Sequence, residues 1–328
     1  MFLLGFAGLD AAQQISEDRE LKELDLTAWN CANRLGGSGR SPETVERNQL
    51  KNRWAVDLSG LAVKSFDTAG LLKYLADFDA QTKGKRRKEL SPDEKRRLEI
   101  LQGPIVSLTG YLGLAYTGPP ETTNCSSTDF HDWHLEIFEE ALDHPPQPGD
   151  PTPIICEITP RTQNAIYHDG IRIQELAAFF RRPDVTYEST GHKAQKVRIT
   201  GYLLWDDEHN DTKDVGATIH SIARNKFHNP WRATAWEIHP VIKIERFDGA
   251  ADTTPSVALR PEAAAPAIAA TPQRFATIMR PVKIKVPYGE AVLQRGMRLQ
   301  IVSRDEQTVT VQYLGQNYPI PIASTDLR

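Results

Sequence analysis

Between residues 103 and 246 the alternation of apolar and polar positions predicts five β-strands and one helix. Five short runs rich in Ile, Val, Leu and aromatic residues are separated by Gly, Pro and Asp clusters, a pattern typical of strands. The predicted strands are 105–116, 133–138, 154–159, 197–205 and 236–244, and a helix is predicted at 171–181. Three strands, a helix and two more strands follow one another in the order of an OB-like five-stranded barrel.

Residues 1–102 are predicted to form a helical leader packed on this barrel. An apolar stripe at helical spacing marks 68–78 as a helix, and 50–53 is a further helical piece. Ser91, Pro92 and Glu94 are typical of a capped helix start, because Ser suits the cap, Pro the first turn and Glu the capping box.

Beyond residue 246 the composition changes abruptly. Residues 247–276 are rich in Ala, Pro and Thr, which bury too little apolar surface to fold, so this stretch is predicted to be a disordered linker. Residues 277–328 return to short β-patterned runs and are predicted to form a small SH3-like β-barrel. The predicted fold class is mainly β, with a helical N-terminal leader, an OB-like barrel and a small C-terminal β-barrel.

Composition narrows the classes of partner and compartment. A chain of 328 residues with 40% hydrophobic content can bury a sizeable core, and its net charge of −4 argues against a general polyanion binder. Residues 1–8 are apolar but short and lack basic residues, so they predict either a trimmed signal peptide or a buried segment, and no transmembrane segment. The linker and terminal barrel favour export or the cell envelope over the cytoplasm.

Chemistry-bearing residues alternate with apolar ones on three of the predicted strands. One face carries the polar residues, which are Asp132, His134, Glu136, Glu157, Glu237 and His239. If the strands are neighbours, four of these are candidate ligands of a divalent metal: His134, Glu157, Glu237 and His239. The alternative is that they are ordinary solvent-facing residues of a half-exposed sheet.

A basic and aromatic loop precedes the last barrel strand. In OB barrels the loop between the fourth and fifth strands borders the ligand groove. The candidate ligand-binding residues are Trp133, Arg224, Lys226, His228, Trp231 and Arg232. The alternative is that Trp231 packs on the barrel and the charges are solvated.

No catalytic nucleophile is predicted. The chain has no GxSxG, P-loop or GxGxxG motif. Its three cysteines, Cys31, Cys125 and Cys156, allow one disulfide without implying it, and Cys156 is predicted to be an inert buried thiol.

Several motifs resemble an uncharacterised bacterial family with an OB-like barrel. The motifs are Asn124-Cys125, Asp132-Trp-His-Leu-Glu136, Glu157-Ile-Thr-Pro-Arg161, Val197-Arg-Ile-Thr-Gly-Tyr202 and Trp236-Glu-Ile-His-Pro-Val241. The resemblance covers about residues 27–245 and implies the barrel without an activity to carry over. The C-terminal region resembles bacterial Src-homology-type barrels, which implies a module for binding ligands or the cell wall.

Three functions follow from these patterns. The first is a non-enzymatic binding protein whose groove holds single-stranded nucleic acid or a glycan. The second is a metal-dependent hydrolase, for instance a phosphodiesterase, on the same barrel. The third is a structural or interaction protein of the cell envelope, with a protein partner bound through the C-terminal barrel.

Overall fold

A computed structural model describes residues 20–53, 63–182, 186–224, 227–247, 275–286, 289–293, 297–305, 307–313 and 316–327. The chain divides into two compact units, Met1–Asp248 and Gly249–Arg328. The division lies two residues beyond the predicted end of the OB-like barrel at 246. The predicted signal-peptide segment 1–8 and nearly all of the linker lie outside the described residues, so both stay predictions.

The first unit contains the helices and most of the strands described here. Its helices are α1 (Pro42–Lys51), α2 (Thr68–Thr82), α3 (Pro92–Gln102), α4 (Pro160–His168) and α5 (Ile173–Leu176). Its strands are β1 (Lys64–Asp67), β2 (Ile105–Thr117), β3 (Trp133–Phe138), β4 (Ile154–Ile158), β5 (Phe179–Arg181), β6 (Tyr187–Ser189), β7 (Lys196–Trp205), β8 (Ser221–Ile222), β9 (His228–Asn229) and β10 (Trp236–Arg246).

Five of these strands close into a mixed barrel. The order around it is β2, β3, β4, β10 and β7, and β7 pairs with β2 to complete the circle. Only β4 and β10 run parallel; the other barrel pairs are antiparallel. This arrangement is compatible with an OB-like barrel and confirms the five predicted strands. Short strands β1 and β5 extend the sheet beside β2.

The helix predicted at 171–181 is wrong in place and length. Helix α4 begins earlier because the Thr159 side chain caps it and Pro160 occupies its first turn. Gly170, with φ of +77°, follows the end of α4 in a conformation that favours glycine. Only the short α5 falls within 171–181, and β5 pairs with β2 instead of continuing the helix. Local capping and sheet pairing therefore outweigh the apolar spacing of that segment.

Helices of the N-terminal region cover the barrel. Ser91 and Glu94 form the predicted capping box at the start of α3. In α2, the Phe78 ring packs edge-on against two barrel indoles, with centroids 5.5 Å from Trp205 and 5.3 Å from Trp236. This packing joins α2 to the interior of the barrel, where apolar side chains from all five strands form one core.

The second unit is a small β structure. Strands β11 (Phe275–Thr277), β14 (Arg298–Arg304), β15 (Thr308–Tyr313) and β16 (Gln316–Pro321) form one sheet, and β12 (Val282–Val286) pairs with β13 (Gly289–Leu293). The first two residues of β11, 275 and 276, fall within the predicted linker, which ends at 276. The strands are confirmed, and closure of this unit into an SH3-like barrel stays a prediction.

Among the described residues, no helix combines the length and the apolar composition needed to cross a membrane.

Candidate metal centre

The polar face of β3, β4 and β10 is buried. Glu136, Glu237 and His239 have no exposed surface, and His134 retains only 6%. The alternative that these are ordinary solvent-facing residues is therefore wrong, because other parts of the chain cover this face of the sheet. Buried charges are costly unless they are paired or bind a metal, so the cluster needs a physical explanation.

Two potential ligand atoms face each other at the centre of this cluster. Asp132 Oδ2 and His239 Nε2 are 3.7 Å apart. Both are fully shielded from solvent, and neither has a hydrogen-bond partner among the described residues. The distance is too long for a hydrogen bond. Two ligand atoms that each lie about 2.1 Å from a tetrahedral ion would be about 3.4 Å apart, close to what is observed.

Neighbouring groups hold both side chains in this orientation. Asn124 Nδ2 donates to Asp132 Oδ1 at 2.9 Å, which leaves Oδ2 free. His239 Nδ1 lies 3.1 Å from Glu237 Oε1 and 2.9 Å from Glu157 Oε2. A proton on Nδ1 leaves the Nε2 lone pair available. Metal-binding histidines are commonly oriented in this way by a carboxylate on the other ring nitrogen.

Glu157 is the third residue whose side chain could hold the same ion. One ligand atom from each of Asp132, Glu157 and His239 lies within 4.8 Å of the others. Glu157 also approaches His134, with Oε1 to Nε2 at 3.2 Å, because the two residues are directly opposite on β3 and β4. Three of the four predicted metal ligands therefore meet here, and Asp132 joins them.

Glu237, the fourth predicted ligand, is held mainly by cations. Arg232 Nη2 donates to Glu237 Oε2 at 2.5 Å, and Lys51 Nζ lies 3.7 Å from Glu237 Oε1. Lys51 Nζ is closer to Asp206 Oδ2, at 3.0 Å, and also lies 3.6 Å from Glu121 Oε2. This arrangement assigns Glu237 to orienting His239.

Carboxylates outnumber permanent cations in this connected group. Two permanent cations, Lys51 and Arg232, face five carboxylates. The carboxylates are those of Glu121, Asp132, Glu157, Asp206 and Glu237. The remaining negative charge requires protons on histidine or carboxyl groups, or a bound cation.

The pKa shifts reflect this excess. Burial alone would lower the pKa of His239, but the charge of Glu157 and the hydrogen bonds to Glu157 and Glu237 together outweigh burial and raise that pKa to about 10. Burial raises the pKa of Asp132 to about 6. Burial would also raise the pKa of Glu237, yet Lys51 and Arg232 hold it well below its usual value. Without a metal, the site compensates by protonating His239.

A disulfide fixes the segment that covers the cluster. Cys31 and Cys125 are bonded, 94 residues apart in sequence. Cys125 directly follows Asn124, and the turn from Glu121 to Asn124 brings two polar side chains to the site. Arg161 Nη2 donates to the Cys31 carbonyl at 2.6 Å and fastens the same segment to α4. Cys156 is free and buried, as predicted.

The predicted groove residues lie in different environments. Trp133 is buried in the barrel core, at 4% exposure. His228 and Arg232 are buried too, because their side chains are bound to Glu136 and Glu237. These three side chains do not form an exposed stacking or phosphate-binding surface. Trp231 is half-buried against His209, Arg224 is exposed, and Lys226 lies outside the described residues.

Sequence reasoning missed Lys51, Glu121 and Asn124 as members of the cluster. They come from α1 and from the turn before Cys125, far along the chain from β10. The Asn124-Cys125 motif is the available signal for this turn. Lys51 is a polar residue at a helix end, which by itself predicts only a solvated side chain.

Comparison with known proteins adds no family. No protein-family model, curated protein or solved structure matches the chain significantly. The resemblance to an uncharacterised bacterial family stays a prediction, and the closed five-stranded barrel rests on the structure alone.

Proposed function

We propose that the protein is a metal-dependent hydrolase that binds a divalent transition-metal ion, with zinc as the type, through Asp132, Glu157 and His239. The observation that carries the proposal is the pair of buried, unpartnered atoms Asp132 Oδ2 and His239 Nε2, 3.7 Å apart. Mixed carboxylate and imidazole ligands suit such an ion.

The surrounding charge supports a cation at this position. A divalent ion would neutralise part of the buried negative charge that His239 otherwise balances by taking up a proton. Asn124 and Glu237 would keep the two ligand side chains oriented.

Hydrolysis is the reaction class that fits this site. A bound divalent ion of this kind lowers the pKa of water and polarises an ester or phosphoryl oxygen. Solvent can approach from the side of Glu121, whose side chain is 24% exposed. The chain's own residues bind the ion, orient His239 and exclude water from the deeper side, where Glu237 and Arg232 are fully buried.

The test combines metal content with activity. Full-length protein is purified without chelator, and its zinc is measured by elemental analysis. Hydrolysis of bis(4-nitrophenyl) phosphate and 4-nitrophenyl acetate is then followed with and without added Zn²⁺. We expect metal bound to the wild type, and Asp132→Asn should lose both metal and activity. Asp129→Asn is the matched control, because Asp129 is exposed on the same loop.

The outcomes separate binding from catalysis. Bound metal without turnover of either substrate would contradict hydrolysis and leave a metal-binding protein. Equal metal content in wild type and Asp132→Asn would overturn the assigned site.

Binding of an extended ligand is the competing proposal. Exposed Arg224 and half-buried Trp231 support it. Fluorescence anisotropy with a labelled single-stranded oligonucleotide and a labelled glycan tests it, with Arg224→Ala as the variant. The C-terminal unit is proposed to be an SH3-like module for a partner. The Cys31–Cys125 disulfide supports a place outside the cytoplasm, where such bonds persist.

A further inference from the structure

We propose a second metal position, formed by Glu121, His134 and Glu157, so that Glu157 bridges two ions. This inference rests on the proposed function and deepens it to a two-metal centre. One ligand atom from each of these three residues lies within 4.8 Å of the others, and Glu157 also belongs to the Asp132 and His239 set.

His134 Nε2, 3.2 Å from Glu157 Oε1, is the ring nitrogen that can act as the ligand here, because Nδ1 lies against the Gly118 backbone on the other side of the ring. His134 Nδ1 is buried and has no hydrogen-bond partner among the described residues. The imidazole is held in place by stacking on Tyr116, with ring centroids 5.0 Å apart, and by Glu157 on the other nitrogen. An imidazole fixed by two neighbours, with Nε2 beside a carboxylate, has the features of a metal ligand.

Gly118 leaves room for this arrangement. A Cβ at Gly118 would lie 2.5 Å from His134 Cε1 and 2.9 Å from Nδ1, closer than real Cβ atoms approach. Any side chain at position 118 would therefore displace the imidazole. The His134 ring can occupy its place in the second metal position only because residue 118 has no side chain.

The two positions differ in their access to solvent. The side chains of Asp132, Glu157 and His239 at the first position are almost completely buried, whereas the Glu121 side chain is 24% exposed. Lys51 Nζ, 3.6 Å from Glu121 Oε2, competes with an ion for this carboxylate. The second ion should therefore bind more weakly and exchange faster than the first.

A shared carboxylate also defines the substrate class. In two-metal centres the ions lie about 3.5–4 Å apart and stabilise both the attacking and the leaving oxygen of an in-line displacement. Phosphoester hydrolysis is the reaction that this geometry serves. Water adds to phosphorus, the P–O bond to the alcohol breaks, and the proton of water ends on the leaving alcohol.

The test is a titration of metal-free full-length protein with Co²⁺, followed by visible absorption and by calorimetry. We expect two binding phases and two equivalents in the wild type. Glu121→Gln should retain one tight equivalent and lose the weak one, and Asp132→Asn should lose the tight phase. Glu99→Gln, an exposed position on α3, serves as the control and should bind both ions. Far-UV circular dichroism establishes that each variant folds.

The outcomes distinguish the second metal position from the first. A single equivalent that Glu121→Gln leaves unchanged would overturn the second position and preserve the first. No binding at all would overturn both. Two equivalents with the weak one lost in Glu121→Gln, together with at least a tenfold fall in hydrolysis of bis(4-nitrophenyl) phosphate, would support the bridged centre.

Discussion

The two faces of β3, β4 and β10 are equally buried but are stabilised differently. On one face Trp133, Leu135 and Cys156 join the apolar core inside the barrel. On the other, His134, Glu157 and their neighbours form ion pairs under a cover of helix and loop. Apolar packing stabilises roughly in proportion to buried area, whereas buried charges stabilise only when every partner is present. Burying the charges of the polar face costs free energy. This face is therefore the part of the barrel where a functional site is expected.

Removing a cation from the polar face should have the largest effect on stability. Arg232→Ala leaves Glu237 Oε2 buried without its cation, while His239 and the more distant Lys51 face only Oε1, so we expect a loss of about 3–5 kcal/mol in the free energy of unfolding. Urea denaturation measures it. Arg224→Ala at an exposed position should cost less than about 0.5 kcal/mol. Equal effects of the two substitutions would contradict the account of a buried pair.

A cavity on the apolar face should reduce stability without touching the metal site. Leu135 is fully buried in the core, so Leu135→Ala should lower the free energy of unfolding by about 2–4 kcal/mol. Metal affinity should be unchanged, because the Leu135 side chain lies on the opposite face from His134. Loss of metal in a folded Leu135→Ala protein would show that the two faces are not independent.

The pH dependence of stability should reveal the charge excess on the polar face. The pKa of His239 is about 10 in the folded protein, above the ordinary histidine value of 6.5. The stabilisation that protonated His239 gives the folded protein is therefore complete below about pH 6.5, and it is lost as the pH rises through 10. Stability of the metal-free protein should fall by up to about 1.4 kcal/mol per pH unit across that window.

The variant His239→Gln isolates the contribution of His239 to the pH dependence of stability. Urea denaturation of wild type and variant in the presence of a chelator, at several values between pH 6 and pH 10, gives the two slopes. A variant that retains the wild-type slope would assign the proton uptake to another group.

A methyl group beside His134 should have the smallest effect on folding and a selective effect on metal. Gly118→Ala must displace the His134 ring, because the new Cβ would lie 2.5 Å from Cε1. We expect the free energy of unfolding to fall by about 1–3 kcal/mol. The weakly bound Co²⁺ equivalent should be lost and the tightly bound one retained. Gly103→Ala is the control, because a Cβ there would make only ordinary contacts at 3.4 Å or more and φ is −71°. Loss of both equivalents in Gly118→Ala would contradict the separation of the two positions.

The sequence predicted the local pattern well and the long-range cover poorly. The alternation at 132–138 and 236–239 correctly separated the polar from the apolar residues of β3 and β10. It could not show that the polar face is buried, because Lys51 and Glu121 come from segments far away in sequence. Local capping at Thr159 was readable, yet apolar spacing placed the helix eleven residues too late. Burial and partner choice depend on tertiary contacts that a pattern of residue types does not encode.

The central claim is that the buried polar face holds a metal ion, and anomalous diffraction tests it most directly. Crystals of the full-length protein grown with Zn²⁺ would be measured on both sides of the zinc absorption edge. The account predicts an edge-dependent peak within about 2.3 Å of Asp132 Oδ2 and His239 Nε2. An ordered site with no such peak, and with His239 bonded only to carboxylates, would contradict it.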